Sequence, residues 1–175
     1  MSIITDLLSL DHIYRFAIVR HHSRQSVAEH SFNVAVIAHE IIKRHPKLEG
    51  IRLENVLLYA VHHDLEECRT GNLPITIKER LPRDEYGGDF VYEGETFKPG
   101  VTMDELRIVK LADMIDACAW ISIHGLGSHA GSVTLWLKER LFDAIERYKD
   151  NGIDRAVMVK LVAEILCEEG RLFTV

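Results

Sequence analysis

Residues 53–67 read Leu-Glu-Asn-Val-Leu-Leu-Tyr-Ala-Val-His-His-Asp-Leu-Glu-Glu, and two patterns overlap in them. Leu53, Val56, Leu57, Ala60 and Val61 recur at the i, i+3, i+4 spacing of one apolar helix face. Two histidines and three acids follow before Gly71, a helix terminator. The spacing predicts a core helix over about 52–68 that carries His63, Asp64 and Glu67 in its last turns. Adjacent helical residues differ by about 100° in direction, so His63 and Asp64 share one ion only if it lies between them at the helix edge, with other helices completing its sphere. Glu67 follows His63 by four residues and Asp64 by three, on the same side of the helix. It is placed to orient or deprotonate a water without ligating an ion.

Working outward, Ser26-Val27-Ala28-Glu29 has the S-x-x-E form of a capping box, and Val34, Ile37 and Ile41 then recur at helical spacing. A helix over about 26–44 is predicted, stopping at His45-Pro46 because the residue before proline is pushed out of the α region. Thr102-Met103-Asp104-Glu105 offers a second capping box, and the apolar run from Leu106 to Cys118 predicts a central helix over about 103–122. Two more helices fit about 132–149 and 153–169, separated by Asp150-Asn151-Gly152. Between 72 and 101, prolines and glycines punctuate a long segment with one short helical candidate near 75–80. With no repeat and no strand run, the expected class is all-α: a compact single-domain helical bundle over 1–175.

His30, His63, Asp64 and Asp113 lie on three of these predicted helices and would make a mixed nitrogen and oxygen site. Imidazole and carboxylate together suit borderline divalent ions such as Zn, Co, Mn or Fe, whereas an all-oxygen site favours Mg or Ca. His39, nine residues after His30, is half a turn out of phase and cannot share that ion. Asp116, one turn beyond Asp113, is a rival ligand. His12, His21, His22, His45, His62 and His124 read as surface or structural, and His129 sits on a small-residue stretch expected to be a loop that reaches a ligand or a neighbouring subunit.

Composition narrows the classes further. The 175 residues are 47% hydrophobic, with 21 basic and 27 acidic side chains and a formal charge of −6. Such a chain suits one core burying roughly 70% of its unfolded surface, and it carries no basic footprint for a nucleic acid polymer. A local pocket of Arg and Lys still allows a small anionic ligand. Cys68, Cys118 and Cys167 are odd in number and widely spaced, which suits reduced core thiols in a cytoplasm. The start, MSIITDLLSL, lacks a basic leader region, and no stretch approaches a membrane span; a soluble cytoplasmic protein is expected, in a host cytoplasm if phage-encoded.

Five blocks stand in order between about 14 and 122: Tyr14-Arg15-Phe16, Ser26-Val27-Ala28-Glu29-His30-Ser31, His63-Asp64-Leu65-Glu66-Glu67, Thr70-Gly71-Asn72-Leu73-Pro74 and Val109-Lys110-Leu111-Ala112-Asp113. Together they resemble the HD-domain metal-dependent phosphohydrolases, in particular the compact 5′-deoxynucleotidase branch that also contains phage dATP triphosphohydrolases. The resemblance implies His30, His63, Asp64 and Asp113 as metal ligands, Glu67 as the catalytic carboxylate and Arg15 as the residue holding the substrate phosphate. It implies a Zn, Co or Mn cofactor, with Mg as an additional phosphate-bound ion. A homo-oligomer, dimer or hexamer, is also implied.

One position departs from the branch, which usually reads T-G-D-L-P with its Asp on the deoxyribose. Asn72 keeps an acceptor oxygen, adds a donor and loses the charge, which reduces repulsion of a longer phosphate tail. Lys110, three residues before Asp113, and more weakly Lys78 could place ammonium groups against that tail. Phe16 is expected to stack on a base and Ile18 to press on its edge, an arrangement the triphosphohydrolases share. The leading expectation is therefore a dATP triphosphohydrolase releasing deoxyadenosine and tripolyphosphate. The alternatives are a 5′-deoxynucleotidase acting on deoxynucleoside monophosphates and, in a different class, a non-catalytic HD module that binds a nucleotide.

Overall fold

The computed structural model describes residues 3–74, 77, 90–92, 95–97 and 100–172. In chain order the elements are α1 (Ile3–Ser9), α2 (Val27–Arg44), α3 (Leu53–His62), the single turn α4 (Glu67–Thr70), strands β1 (Phe90–Tyr92) and β2 (Glu95–Phe97), then α5 (Met103–His124), α6 (Gly127–Tyr148) and α7 (Arg155–Leu172). The all-α class holds. The two short strands pair antiparallel, Phe90 opposite Phe97 and Tyr92 opposite Glu95, inside the segment that read as loop. The helical candidate near 75–80, with Lys78, falls outside the described residues apart from Ile77.

Both predicted capping boxes form. Ser26 Oγ accepts from the Glu29 amide at 3.1 Å while Glu29 Oε2 accepts from the Ser26 amide at 2.7 Å; Thr102 and Glu105 repeat the exchange at 3.2 and 2.6 Å. Each exchange satisfies two amides that a helix start leaves unpaired. Glu105 does more, because it is fully buried and its Oε1 also accepts from the Arg52 amide at 2.8 Å, pinning the start of α3 to the start of α5.

Burial alone would raise the Glu105 pKa, but hydrogen bonds from Thr102, Arg52 and Asn55 bring it below the ordinary carboxylate value. Its contribution to stability is therefore present above the unfolded pKa and lost as the pH falls through the lower folded one. Glu105→Ala is expected to cost about 2 kcal/mol, the effect of losing hydrogen bonds to a charged group. A urea unfolding midpoint that does not move would refute this.

α5 is the axis of the molecule. Ile108, Leu111, Ala112, Ile115, Cys118 and Ile121 are each about 1% exposed or less, so the helix is apolar nearly all round, the pattern of a buried helix. Val34, Ala38 and Ile41 of α2, Val56 and Ala60 of α3, Leu141 and Ile145 of α6 and Met158 of α7 join the same cluster. Burying each Leu or Ile contributes about 1.5–3 kcal/mol, and this cluster holds α2, α3 and α5 in register around the site. Burial pushes the Cys118 thiol up to about 12, the behaviour of an inert core filler. Among the described residues no helix is long and apolar enough to cross a membrane.

Three local features differ from expectation. Residues 3–9 form α1; Leu7 packs with buried Leu10, Val27 and Leu65, so α1 is held by tertiary contact. The helix expected over 52–68 stops at His62. The amides of Leu65, Glu67 and Cys68 bond three residues back, to His62, Asp64 and Leu65, so His63 and Asp64 sit on a tight turn and not on an α-helical edge. The small residues 127–131 are helical, forming the first turn of α6. A side chain at Gly125 would meet Ile121 O at 2.6 Å and Ala130 Cβ at 2.7 Å; small residues here permit close helix packing, and His129 is therefore an exposed helical residue.

Candidate metal centre

α2 contributes His30, which is 0% exposed. Its Nδ1 lies 2.6 Å from Asp116 Oδ2. A carboxylate only accepts, so Nδ1 carries the proton and Nε2 keeps its lone pair. Arg15 Nη1 also lies 2.6 Å from Nδ1, a close approach of two donors that Asp116 Oδ2 bridges, since Arg15 Nη1 reaches it at 3.2 Å. Gln25 Nε2 donates to the same oxygen at 2.9 Å and Asn33 Nδ2 to Oδ1 at 2.9 Å. Burial and then Arg15 lower the His30 pKa, but the carboxylates of Asp113 and Asp116 outweigh them and the net shift is upward.

The turn after α3 contributes His63 and Asp64. Ala60 O accepts from His63 Nδ1 at 2.7 Å, which again leaves Nε2 as the open lone pair. His30 Nε2 and His63 Nε2 are both buried without a hydrogen-bond partner. α5 contributes Asp113, whose Oδ1 lies 3.4 Å from His30 Nε2. Donor atoms of His30, His63 and Asp113 all fall within 4.8 Å of one another. Asp64 Oδ2 stands 3.7 Å from His30 Nε2 and 3.5 Å from His63 Nε2.

Two ligands of a tetrahedral ion, each at about 2.1 Å from it, stand about 3.4 Å apart. The spacings of 3.4, 3.5 and 3.7 Å that link Asp113 and Asp64 to the two imidazoles lie near that value, and two buried imidazole lone pairs facing carboxylates are the donor set of a borderline divalent ion. These residues fit a metal.

Asp113 Oδ2 accepts from Lys110 Nζ at 2.6 Å. Burial raises the Asp113 pKa, but Lys110, followed by His30 and His63, holds it well below the usual carboxylate range. The same carboxylate keeps the Lys110 ammonium charged beyond its usual range. His63, Asp64, Asp113 and Lys110 line one open cavity of about 310 Å³ together with Tyr59, Leu106 and Val109. Burial, then Glu66, raises the Tyr59 pKa, so its phenol stays neutral. A cavity with metal-ligand groups, one ammonium and an apolar wall can seat an anion carrying an apolar group.

The other expected site residues separate into groups. Arg15 is 9% exposed and its Nη2 stands 3.9 Å from Asp113 Oδ1, so it reaches the centre, though its Nη1 is engaged by Gln25 and Asp116. Phe16, at φ 59°, stacks parallel on Trp120 at 5.0 Å, one face already covered. Ile18 is 62% exposed, so it is not a core residue. Glu67 is fully buried at the start of α4, and Asn72 Nδ2 donates to its two oxygens at 3.0 and 2.9 Å. His129 is not among the cavity residues, and Lys78 lies outside the described ones.

Sequence reasoning missed Tyr59 as a cavity residue and the part played by Gln25 and Asn33. It named Asp116 as a rival ligand, but the structure sets Asp116 on the Nδ1 side of His30, opposite the open lone pair. The signal lay in spacing: Asn33 and Asp116 follow His30 and Asp113 by one helical turn each. Asp116→Asn is expected to weaken metal binding about 10–100-fold, the usual cost of losing a group that orients a histidine ligand. Competition with a chromogenic chelator measures it, and wild-type affinity would take Asp116 out of the site.

A family model described as 5′-deoxynucleotidase YfbR-like matches residues 3–85. Residues 3–85, a little under half of the chain, are thus similar to the YfbR-like family. Two proteins named as 5′-deoxynucleotidases, from Yersinia pestis (strain Pestoides F) and Yersinia pseudotuberculosis serotype O:3, are each 37% identical over 73 residues, 41% of this chain. The match spans 37% of the length of those relatives. Among solved structures, the cyanophage S-2L HD phosphohydrolase DatZ, bound to dA and one catalytic Zn²⁺, aligns over 98% of both chains with a TM-score of 0.75 and 23% identity. The PH0347 protein of Pyrococcus horikoshii OT3 aligns over 97% of this chain and 98% of its own, with a TM-score of 0.61 and 24% identity. The matched region carries Arg15, His30, His63, Asp64 and Glu67, and the fold of the chain is like that of the DatZ structure.

Proposed function

We propose that this chain is a metal-dependent phosphohydrolase of deoxynucleotides, and that its leading substrate is dATP. One observation carries the reading: two buried imidazole lone pairs meet the Asp113 carboxylate, with Asp64 beside both imidazoles, and His63, Asp64 and Asp113 line a cavity whose wall holds a paired ammonium. A divalent ion bound there supplies Lewis-acid activation of water and of a phosphoryl oxygen.

The chain's own residues do the rest. His30, His63, Asp64 and Asp113 hold the ion, Zn, Co or Mn being favoured by the mixed donor set. Lys110 and Arg15 stabilise negative charge on the phosphate. Glu67 positions the attacking water and takes its proton. Water oxygen bonds to the α-phosphorus, the bond from phosphorus to the 5′ oxygen breaks, and that oxygen takes a proton; dATP gives deoxyadenosine and tripolyphosphate.

The triphosphate reading draws on Lys110 beside Asp113, on Asn72 and on the likeness to DatZ. Exposed Ile18 remains available to contact a base edge, where an aliphatic group tolerates adenine but meets the 2-amino group of guanine. The YfbR-like match favours a second reading, a 5′-deoxynucleotidase releasing orthophosphate from deoxynucleoside monophosphates. A homo-oligomer is proposed with either, supported by exposed Phe32 and Val36, neighbours on one face of α2 at 68% and 48% exposure.

The test is chromatography of products after incubating the protein with each dNTP and each dNMP in the presence of Zn, Co, Mn or Mg. Deoxyadenosine and tripolyphosphate from dATP alone is the expected result. Orthophosphate from dNMPs establishes the second reading instead, and bound metal without hydrolysis of any nucleotide leaves a binding module.

A further inference from the structure

Asn72 stands where the resembled branch usually carries an Asp on the deoxyribose, and here its side chain is engaged by Glu67. Nδ2 lies 3.0 Å from Glu67 Oε1 and 2.9 Å from Oε2. Carboxylate oxygens only accept, so the amide must present nitrogen to Glu67 and its orientation is set by chemistry. The backbone arranges this contact. The Gly71 amide closes α4 on Glu67 O at 2.8 Å, and Gly71 then adopts φ 69°, ψ 169°, a conformation that is essentially glycine's alone. That turn brings residue 72 back onto the carboxylate five positions earlier. Glu67 itself is 0% exposed, so a donor on both oxygens replaces hydration that burial removed.

We propose that Asn72 is a positioning residue for Glu67: its amide holds the carboxylate in the orientation from which it acts on water. The inference rests on the catalytic role proposed for Glu67. It separates two replacements that a sugar contact would rank the other way. Asn72→Ala removes the donor. Asn72→Asp removes it and sets a second carboxylate against Glu67 at hydrogen-bond distance, although it preserves the acceptor oxygen that a sugar hydroxyl would need.

The experiment is steady-state kinetics of the full chain and both variants on dATP and on dAMP, each against its ribo counterpart, with bound Mn counted per chain. Expected is a fall in kcat of about tenfold for Asn72→Ala, the effect of losing one hydrogen bond to a charged group, and a larger fall for Asn72→Asp. KM, metal stoichiometry and the preference for deoxy over ribo substrates should stay near wild type. Asn72→Gln, which keeps an amide donor on a longer arm, should recover part of the loss. The inference is overturned by an Asn72→Asp variant that outperforms Asn72→Ala, or by variants that keep kcat but lose the deoxy preference; both outcomes mark Asn72 as a sugar reader. A wild-type chain that hydrolyses none of these nucleotides overturns the catalytic reading of Glu67 and this inference with it.

Discussion

His63→Ala is expected to lose bound metal and turnover together. The imidazole is oriented by its own backbone, Nδ1 donating to Ala60 O at 2.7 Å, so Nε2 points into the cluster without needing another side chain. Removing it deletes one of the two nitrogen donors that, among the described residues, converge within 4.8 Å. What remains is a single imidazole with carboxylates, a set that shifts preference from borderline ions toward harder ones. The loss in affinity should exceed the about 10–100-fold that removal of an orienting partner costs, and turnover should fall below detection. Metal per chain after gel filtration, measured beside product release, decides the matter. A variant that keeps full metal would show that His63 is no ligand, and a metal-free variant that still turns over would sink the metal-dependent mechanism. Chelation of the wild type is the companion measurement: activity should vanish and return on adding Zn, Co or Mn.

The features most legible in the sequence are those whose causes are local. Ser26 with Glu29, and Thr102 with Glu105, specify helix starts within four residues, and both helices begin where those boxes place them. The apolar run of α5 likewise reports its own burial. Legibility failed where the cause was spread over several elements. The end of α3 depends on the imidazoles of His62 and His63 accepting the roles of local caps on Leu58 O and Ala60 O, which competes with continuing the helix. The start of α6 depends on how near Gly125 comes to Ala130, and no periodicity records that distance.

The same division runs through the candidate site. That His30, His63, Asp64 and Asp113 would meet followed from three helices and a motif. Which of Asp113 and Asp116 faces the open nitrogen did not, because both lie on one side of α5 and only the fold puts them on opposite nitrogens of His30. Asn72 makes the point most directly: its residue type allowed sugar recognition, and only the Gly71 turn revealed the carboxylate it touches.

Glu67→Gln is expected to remove turnover while leaving metal in place, and the contrast with His63→Ala is what gives the pair its force. Glu67 is engaged by the Asn72 amide at both of its oxygens, and the ion is expected not to depend on it. Gln matches the shape of Glu but cannot take a proton from water, and because Asn72 Nδ2 faces both carboxylate oxygens, either orientation of the Gln amide keeps one oxygen on Asn72 and sets one N–H against it. The substitution thus removes the base while disturbing packing little. General base catalysis is worth about 10²–10⁴-fold, and kcat should drop by about 10³-fold with KM and metal content near wild type. Retained activity would mean that another group handles the proton, and the cavity offers a candidate in the Asp64 carboxylate. Loss of metal alongside activity would instead place Glu67 among the ligands. Only a metal-loaded, substrate-binding, inactive variant separates holding the ion from using it.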